Sequence, residues 1–239
     1  MLDIHLIPVL QDNYVYVLVD QNTGVSAVVD PGEAKPVIDF LEAHNLKPSF
    51  ILNTHHHWDH TNGNHALVEK YGCQIVAPAG EDRIDGAGQK VAEGYRIEIG
   101  DSIATVIETP AHTKTHICFY FEGDKALFCG DTLFSIGCGR LFEGSADDMF
   151  QAMQKLKALP DDTRVYCGHE YTEANIQFAK TVLENNDVLK SYEQEVKELR
   201  AKSLPSIPSK LEIEKKANPF MVAKTANELG HYRQLKDNF

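Results

Sequence analysis

Residues 50–60 read Phe50-Ile51-Leu52-Asn53-Thr54-His55-His56-His57-Trp58-Asp59-His60. A short apolar strand runs straight into three imidazoles and a carboxylate spaced His55-x-His57-x-Asp59-His60. Such side chains ligate zinc and other borderline first-row metals. Two residues apart on an extended stretch, His55 and His57 point to the same side. Asp59 and His60 can turn to a neighbouring position as the chain enters the next helix, so one loop can feed two adjacent cations. A histidine-rich tract alone is also compatible with a solvated loop. The distinction comes from what recurs further along the chain.

Before this loop, Met1 to Leu10 reads as a first strand rather than a targeting segment, since it carries an acid and lacks a basic flank. Tyr14–Val19 and Val25–Val29 read as strands separated by the turn residues Asn22, Thr23 and Gly24. Val37, Ile38, Phe40 and Leu41 recur at helical spacing and place a helix over about 34–44. After the loop come a helix over 64–71 and strands over 74–77, 96–99, 103–108, 117–121 and 126–129. A helix over 147–159 and a strand over 164–167 follow. Past His169 the pattern becomes helical: 173–184 and 189–202 are amphipathic. Leu204-Pro205-Ser206-Ile207-Pro208 then breaks the periodicity, and a mixed tail follows. These elements predict an α/β domain over 1–170 and a small helical domain over 171–239.

Further ligand candidates sit just beyond predicted strands, where loops gather side chains on a rigid scaffold: His112 after Glu108-Thr109-Pro110-Ala111, Asp131 after Gly130, and His169 after Gly168. With His55, His57, Asp59 and His60 they supply enough ligands for two cations sharing one carboxylate. His56, between two ligands, is expected to point away from them. Asp30 reads equally as a turn residue or as a carboxylate that orients the ligand loop. His5, His44, His65, His116 and His231 read as surface or core histidines.

The full set resembles the metal signature of the metallo-β-lactamase superfamily, over residues 1 to about 170. Within it the chain is similar to the hydroxyacylglutathione hydrolases. The supporting text is Gly130-Asp131-Thr132-Leu133-Phe134, Gly137-Cys138-Gly139-Arg140, Glu143-Gly144, Gly168-His169-Glu170-Tyr171-Thr172 and Arg233-x-x-Lys236-Asp237-x-Phe239. The resemblance implies a four-layer αββα sandwich with a C-terminal all-helical domain. It assigns His55, His57 and His112 to a first metal and Asp59, His60 and His169 to a second, with Asp131 bridging. Asp59 and Asp131 take the catalytic part, and Arg140, Tyr171, Arg233 and Lys236 bind the glutathione portion. Arg233 and Lys236 read equally well, without the resemblance, as a solvated helix face. Two positions depart from the family pattern. Phe142 stands where a tyrosine would offer its hydroxyl to glutathione, and Thr115 replaces a glycine.

The implied cofactor is a pair of divalent cations, zinc foremost, with iron or manganese as alternatives. Such cations lower the pKa of a coordinated water from about 15.7 towards 7, and the hydroxide so made attacks an acyl carbonyl. A thiolate leaves without much protonation, because free thiols have a pKa near 8.5, so no strong general acid is needed. The implied reaction is hydrolysis of S-(2-hydroxyacyl)glutathione, such as S-lactoylglutathione, to glutathione and a 2-hydroxy acid, the second step of methylglyoxal detoxification. The rival on the same fold is a persulfide dioxygenase with one iron. The complete second-metal set and the basic helical tail speak against it. A rival of another class is a metal-binding scaffold without turnover, which the intact substrate-side residues disfavour.

Composition narrows the remaining choices. The chain has 239 residues, is 43% hydrophobic and 24% charged, and carries a net charge of −12. That charge argues against a general nucleic-acid binder, and no apolar run reaches the roughly 18 residues of a membrane span. The cysteines Cys73, Cys118, Cys129, Cys138 and Cys167 form no CxxC pair and read as small buried residues in a reduced, cytoplasmic setting. A small-molecule substrate and a monomeric state are expected. An anionic substrate is not excluded by the net charge, because two divalent cations outweigh two aspartates and a hydroxide and leave the site locally positive.

Overall fold

The strand Asn13–Asp20 shows why the molecule is layered. Its residues alternate between two apolar clusters: Tyr14, Tyr16 and Leu18 face one, Val15 and Val17 the other. A strand buried on both faces reads as continuously apolar, as this one does. The computed structural model describes residues 1–239. The first half forms β1 (Leu2–Val9), β2 (Asn13–Asp20), β3 (Ser26–Val29), α1 (Ala34–Ala43), β4 (Pro48–Leu52), α2 (Trp58–Thr61), α3 (Asn64–Tyr71), β5 (Gln74–Pro78) and β6 (Ala87–Val91). The second half forms β7 (Arg96–Ile99), β8 (Ser102–Glu108), β9 (Ile117–Phe121), β10 (Ala126–Gly130), β11 (Leu133–Phe134), β12 (Gly137–Cys138), α4 (Ala146–Lys157) and β13 (Arg164–Cys167). After it come α5 (Thr172–Val182), α6 (Asp187–Arg200), β14 (Ser209–Lys210), α7 (Leu211–Ala217), α8 (Pro219–Val222) and α9 (Ala226–Asp237).

The first sheet runs β1-β2-β3-β4-β5-β6 and the second β14-β13-β10-β9-β8-β7, while β11 and β12 make a small hairpin. In the first sheet β1, β2 and β3 are antiparallel, and β3 to β6 are parallel. In the second, β10 and β13 are the parallel pair. Val37 and Leu41 of α1, one turn apart, pack with Leu67 of α3 against Val28, Ile51 and Ile75 of the first sheet. The opposite face of that sheet contributes Leu52 and Val76 to a core that holds Phe119, Phe121 and Phe128 of the second sheet. Helix α4 closes the far side with Met149, Met153 and Leu156. It starts at Ser145, whose hydroxyl accepts from the Asp148 N–H while Asp148 accepts from the Ser145 N–H, a reciprocal cap that satisfies two otherwise orphaned donors. The result is the four-layer αββα sandwich with a helical C-terminal part.

The segment after residue 170 is helical except for β14, which pairs with β13 at the edge of the second sheet. Ile207, Leu211, Phe220, Met221 and Leu229 enter the same apolar cluster as Met149 and Phe128. The tail read as mixed is α7, α8 and α9; the first two are only seven and four residues long, too short to leave a clear amphipathic period. Strand β6 was also outside the expected elements. Its alternate residues are exposed and it holds Gly88, which leaves little apolar signal. No helix is long and apolar enough to cross a membrane. All five cysteines are free and buried, as expected of small core residues.

Candidate metal centre and substrate cleft

Loops at the ends of strands from both sheets deliver the ligand candidates to one place. Beyond β4, residues 53–57 carry His55 and His57, and Asp59 and His60 follow in α2. His112 lies between β8 and β9, Asp131 follows β10, and His169 follows β13. The convergence demands two unusual backbone positions. Gly130 adopts a left-handed φ of 45°, and a Cβ there would lie 2.3 Å from Thr54 Oγ1. Gly168 leaves space between neighbours, since a Cβ would lie 2.6 Å from both Asp131 Oδ1 and His60 Cε1. Only glycine satisfies both demands without displacement.

Ring nitrogens then face one another rather than a donor and an acceptor. His57 Nδ1 lies 3.1 Å from His55 Nε2 and 3.0 Å from His112 Nε2. A second group forms beside it: His169 Nε2 is 3.3 Å from His60 Nε2 and 3.4 Å from Asp59 Oδ2. Asp131 lies between the groups, with Oδ1 3.3 Å from His60 Nε2, and Oδ2 3.5 Å from His112 Nε2 and 3.4 Å from His169 Nε2. Two donors about 2.0–2.1 Å from one tetrahedral ion stand roughly 3.3 Å apart, which is the spacing seen here. Asp131 Oδ1 is buried and has no hydrogen-bond donor, a costly state for a carboxylate unless a cation meets it. The residues therefore fit a pair of divalent cations.

The electrostatics agree. Burial, reinforced by neighbouring imidazoles, holds His55 and His112 below the usual histidine range and His57 at about 4. All three are neutral at pH 7 and present lone pairs. Burial opposes charge on His60 and His169 as well, but Asp131 outweighs it and raises both. Burial of Asp131 is in turn outweighed by His169 and His60, which hold its carboxyl well below the usual range.

The non-facing nitrogen of four of these imidazoles is tied down, the arrangement that metal-bound imidazoles require. His112 Nδ1 donates to the Arg140 carbonyl (2.9 Å), His169 Nδ1 to Asp12 (2.9 Å), and His60 Nδ1 to Asp30 (3.1 Å). His55 Nδ1 pairs with the Thr54 hydroxyl (3.0 Å). Asp30 also lies close enough to His55 and His60 to count as a ligand candidate, but its oxygens accept from the Thr54 N–H (2.8 Å), the Thr54 hydroxyl (2.7 Å) and His60. It orients the ligand loop, one of the two roles open to it in the sequence. His56 points away from the other histidines' meeting point, to Glu81 (3.2 Å).

Several supporting residues escaped the sequence reading. His116, read as an ordinary histidine, is buried beside the site. Its Nε2 accepts the Asp131 N–H (3.1 Å), its Nδ1 meets Thr109 and Thr132, and its ring stacks on His55. Asn13 donates to Asp59, and Glu81 anchors the far side of the ligand loop. No local spacing identifies such residues; only long-range pairing does.

A cleft of about 630 Å³ opens over the two groups, lined on one side by His57, Asp59, His112, Asp131 and His169. Trp58 and Phe142 stand exposed on its rim, and Arg140, Tyr171, Arg233 and Lys236 all reach it. Tyr171 stacks on His169, with ring centroids 4.7 Å apart and planes 4° apart. Arg140 is largely exposed and lies 3.5 Å from Asp237. Arg233 reaches the cleft but is buried, not solvated. It donates to the Cys138 carbonyl (2.8 Å), pairs with Asp237 (2.9 Å) and sits over the Phe220 ring. Lys236 lies over the Phe178 and Phe239 rings, and its Nζ donates to the Ala174 carbonyl (3.3 Å).

Residues 9–169 match the model of the metallo-β-lactamase superfamily, and residues 170–239 that of the hydroxyacylglutathione hydrolase C-terminus. The hydroxyacylglutathione hydrolase of Rhodospirillum rubrum is 49% identical over 95% of this chain and 89% of its own length. That of Pelagibacter ubique is 43% identical over 100% of both. The chain belongs to the hydroxyacylglutathione hydrolase family. It is thus a metal-dependent hydrolase of the metallo-β-lactamase superfamily, with His and Asp clusters suited to divalent metal. Crystal structures share the fold at lower identity. ETHE1 from Myxococcus xanthus superposes with a TM-score of 0.74 at 22% identity, covering 98% of this chain and 90% of that one. The B3 metallo-β-lactamase BLEG-1 gives 0.70 at 22%, covering 92% and 100%. Against the hydroxyacylglutathione hydrolase pattern, the two departures acquire physical content. The Thr115 hydroxyl donates to Glu81 (2.6 Å), bracing the loop after His112. Phe142 turns its ring towards His57 and His112, with centroids 5.8 and 5.2 Å away.

Proposed function

We propose that this chain hydrolyses the thioester of S-(2-hydroxyacyl)glutathione, such as S-lactoylglutathione, to glutathione and a 2-hydroxy acid, a step of methylglyoxal detoxification. The observation that carries the reading is the coincidence of a complete two-group ligand set with full-length similarity to hydroxyacylglutathione hydrolases. His55, His57 and His112 hold a first cation, Asp59, His60 and His169 a second, and Asp131 both; zinc is the ion of choice for this donor set, with iron or manganese as substitutes. When bound, the pair supplies a nucleophilic water at neutral pH and positive charge for a developing oxyanion.

The chain's own residues do the rest. Asp59 and Asp131 set the position and the charge of the centre. Arg140, Tyr171 and Lys236 bind and orient the peptide part of the thioester at the open end of the cleft, with Arg233 behind them, and residues 171–239 serve as the substrate-binding domain. The leaving thiolate needs no proton from the protein. The chain is proposed to act on this small-molecule substrate as a monomer. The test is release of free thiol from S-lactoylglutathione by purified protein, alongside elemental analysis. Thiol release with two ions per chain supports the reading. No release, or oxygen consumption with glutathione persulfide on a single iron, overturns it in favour of the dioxygenase alternative.

A further inference from the structure

We propose that the tip of the first hairpin, Asp12 and Asn13, is a positioning element for the second cation site and not for the first. This rests on the reading that Asp59, His60, His169 and Asp131 hold a cation. Asn13 opens β2 and is buried. Its Nδ2 donates to Asp59 Oδ2 (3.0 Å) and to the Asp59 carbonyl (3.2 Å). Both partners are pure acceptors, so the amide nitrogen must face them. The same Oδ2 lies 3.4 Å from His169 Nε2. The amide thus engages the oxygen that faces the site and leaves a second lone pair free.

Asp12 holds the opposite ligand. Its carboxylate accepts from His169 Nδ1 (2.9 Å), which keeps the lone pair of His169 on Nε2. Backbone bonds fix the tip to the ligand segment: Tyr14 N–H donates to Gly168 O (2.8 Å), and Glu170 N–H to Asp12 O (2.8 Å). Two neighbouring residues therefore set the distance between Asp59 and His169.

Asp59 depends on such help. It lies in α2, a four-residue helix without a side-chain cap, and its side chain is 21% exposed. His55 is fully buried and His112 nearly so. Their supports are the Thr54 hydroxyl and the Arg140 carbonyl, neither of which touches the hairpin tip. Removing the Asn13 amide frees Asp59 to rotate into water while the first group stays intact.

Asn13→Leu, of similar size but without a donor, tests this by titration with Zn(II) against a chromophoric chelator. The first ion is expected to bind as in the parent, and the second about 10- to 100-fold more weakly, the usual range for loss of an outer partner. In Mn(II)-loaded protein the spin-coupled resonance should give way to that of an isolated ion. Asn13→Gln, which keeps the donor, should restore part of the affinity. Tyr14→Phe, which removes a hydroxyl bonded to Glu170 from the same segment, should leave both affinities unchanged. If the leucine variant does not fold, Asn13→Ala takes its place, with folding followed by thermal melting. Parent-like binding of both ions by the donor-less variants, equal weakening of both, or loss of the fold in both variants overturns the proposal. A parent chain that saturates at one Zn(II) overturns the two-cation reading itself, a result separable from the others.

Discussion

At the buried end of the cleft, His55, His57, His60, His112, His169, Asp59 and Asp131 face one another, and Asp131 keeps a buried oxygen without a donor. At the open end the cations already have partners: Arg140 has Asp237, Arg233 has Asp237 and the Cys138 carbonyl, and Lys236 has the Ala174 carbonyl. One end is unsatisfied and mostly buried; the other is nearly satisfied and partly exposed. The contrast separates two tasks. Groups left unpaired inside a protein create strong, geometry-specific demand for a ligand, whereas groups already paired exchange one partner for another and gain only a difference.

The largest effect should follow from removing the shared carboxylate. Asp131→Ala should lose both bound ions and more than about 100-fold in turnover, because loss of even an outer partner typically costs 10- to 100-fold. Metal content and thiol release measured on one sample check it, and retention of either near the parent level breaks the assignment of Asp131.

A second effect concerns how the C-terminal part is attached. Glu214 of α7 is buried and accepts from the Ile136 N–H (2.8 Å) and from Asn218 (2.9 Å). Burial pushes its carboxyl up to about 7, although those bonds pull the other way. The native state therefore holds a proton that the unfolded chain releases near pH 4.5. The stability so gained is complete below pH 4.5 and lost as the pH rises through 7, by at most about 3 kcal/mol. Glu214→Gln should flatten that slope in denaturant titrations between pH 5 and 8. Parallel curves for the two proteins would show that Glu214 does not titrate there.

Substrate-side changes should be smaller. Arg140→Ala and Lys236→Ala should raise KM for S-lactoylglutathione by about one decade and leave kcat nearly unchanged, since their contacts are made equally in ground and transition states. The loss should shrink in high salt. Arg233→Ala should also cost about 1–3 kcal/mol in unfolding free energy, because it strips a buried carbonyl of its donor. A purely kinetic effect at Arg233, or equal KM losses with a thioester lacking the glutathione carboxylates, would contradict the division of labour between the two arginines. Smallest of all, Thr115→Gly should cost about 1 kcal/mol through the bond to Glu81, with metal content unchanged by elemental analysis.

The clustering at the buried end was legible because its His and Asp residues are rare types at short spacing, placed at the ends of strands whose apolar runs are themselves plain. His55-x-His57-x-Asp59-His60 needs no knowledge of distant partners. Asp12, Asn13 and His116 are ordinary residues whose significance depends on neighbours 157, 46 and 15 positions away. The burial of Arg233 was not legible for a related reason. Its position on a terminal helix suggests solvent, and only the packing of α9 against α4 and α8 buries it. The hairpin of β11 and β12, two residues per strand, is too short to leave a period.

The apolar cluster that crosses residue 170 has a consequence for how the molecule comes apart. Phe220, Met221 and Leu229 share one core with Met149, Met153 and Leu156. A cut at the junction would leave both fragments with a torn hydrophobic surface, so neither has a reason to persist alone. Two sequence families meet there, yet the heat capacity trace should show a single endotherm. The seam at residue 170 divides two family models but not the apolar core beneath them.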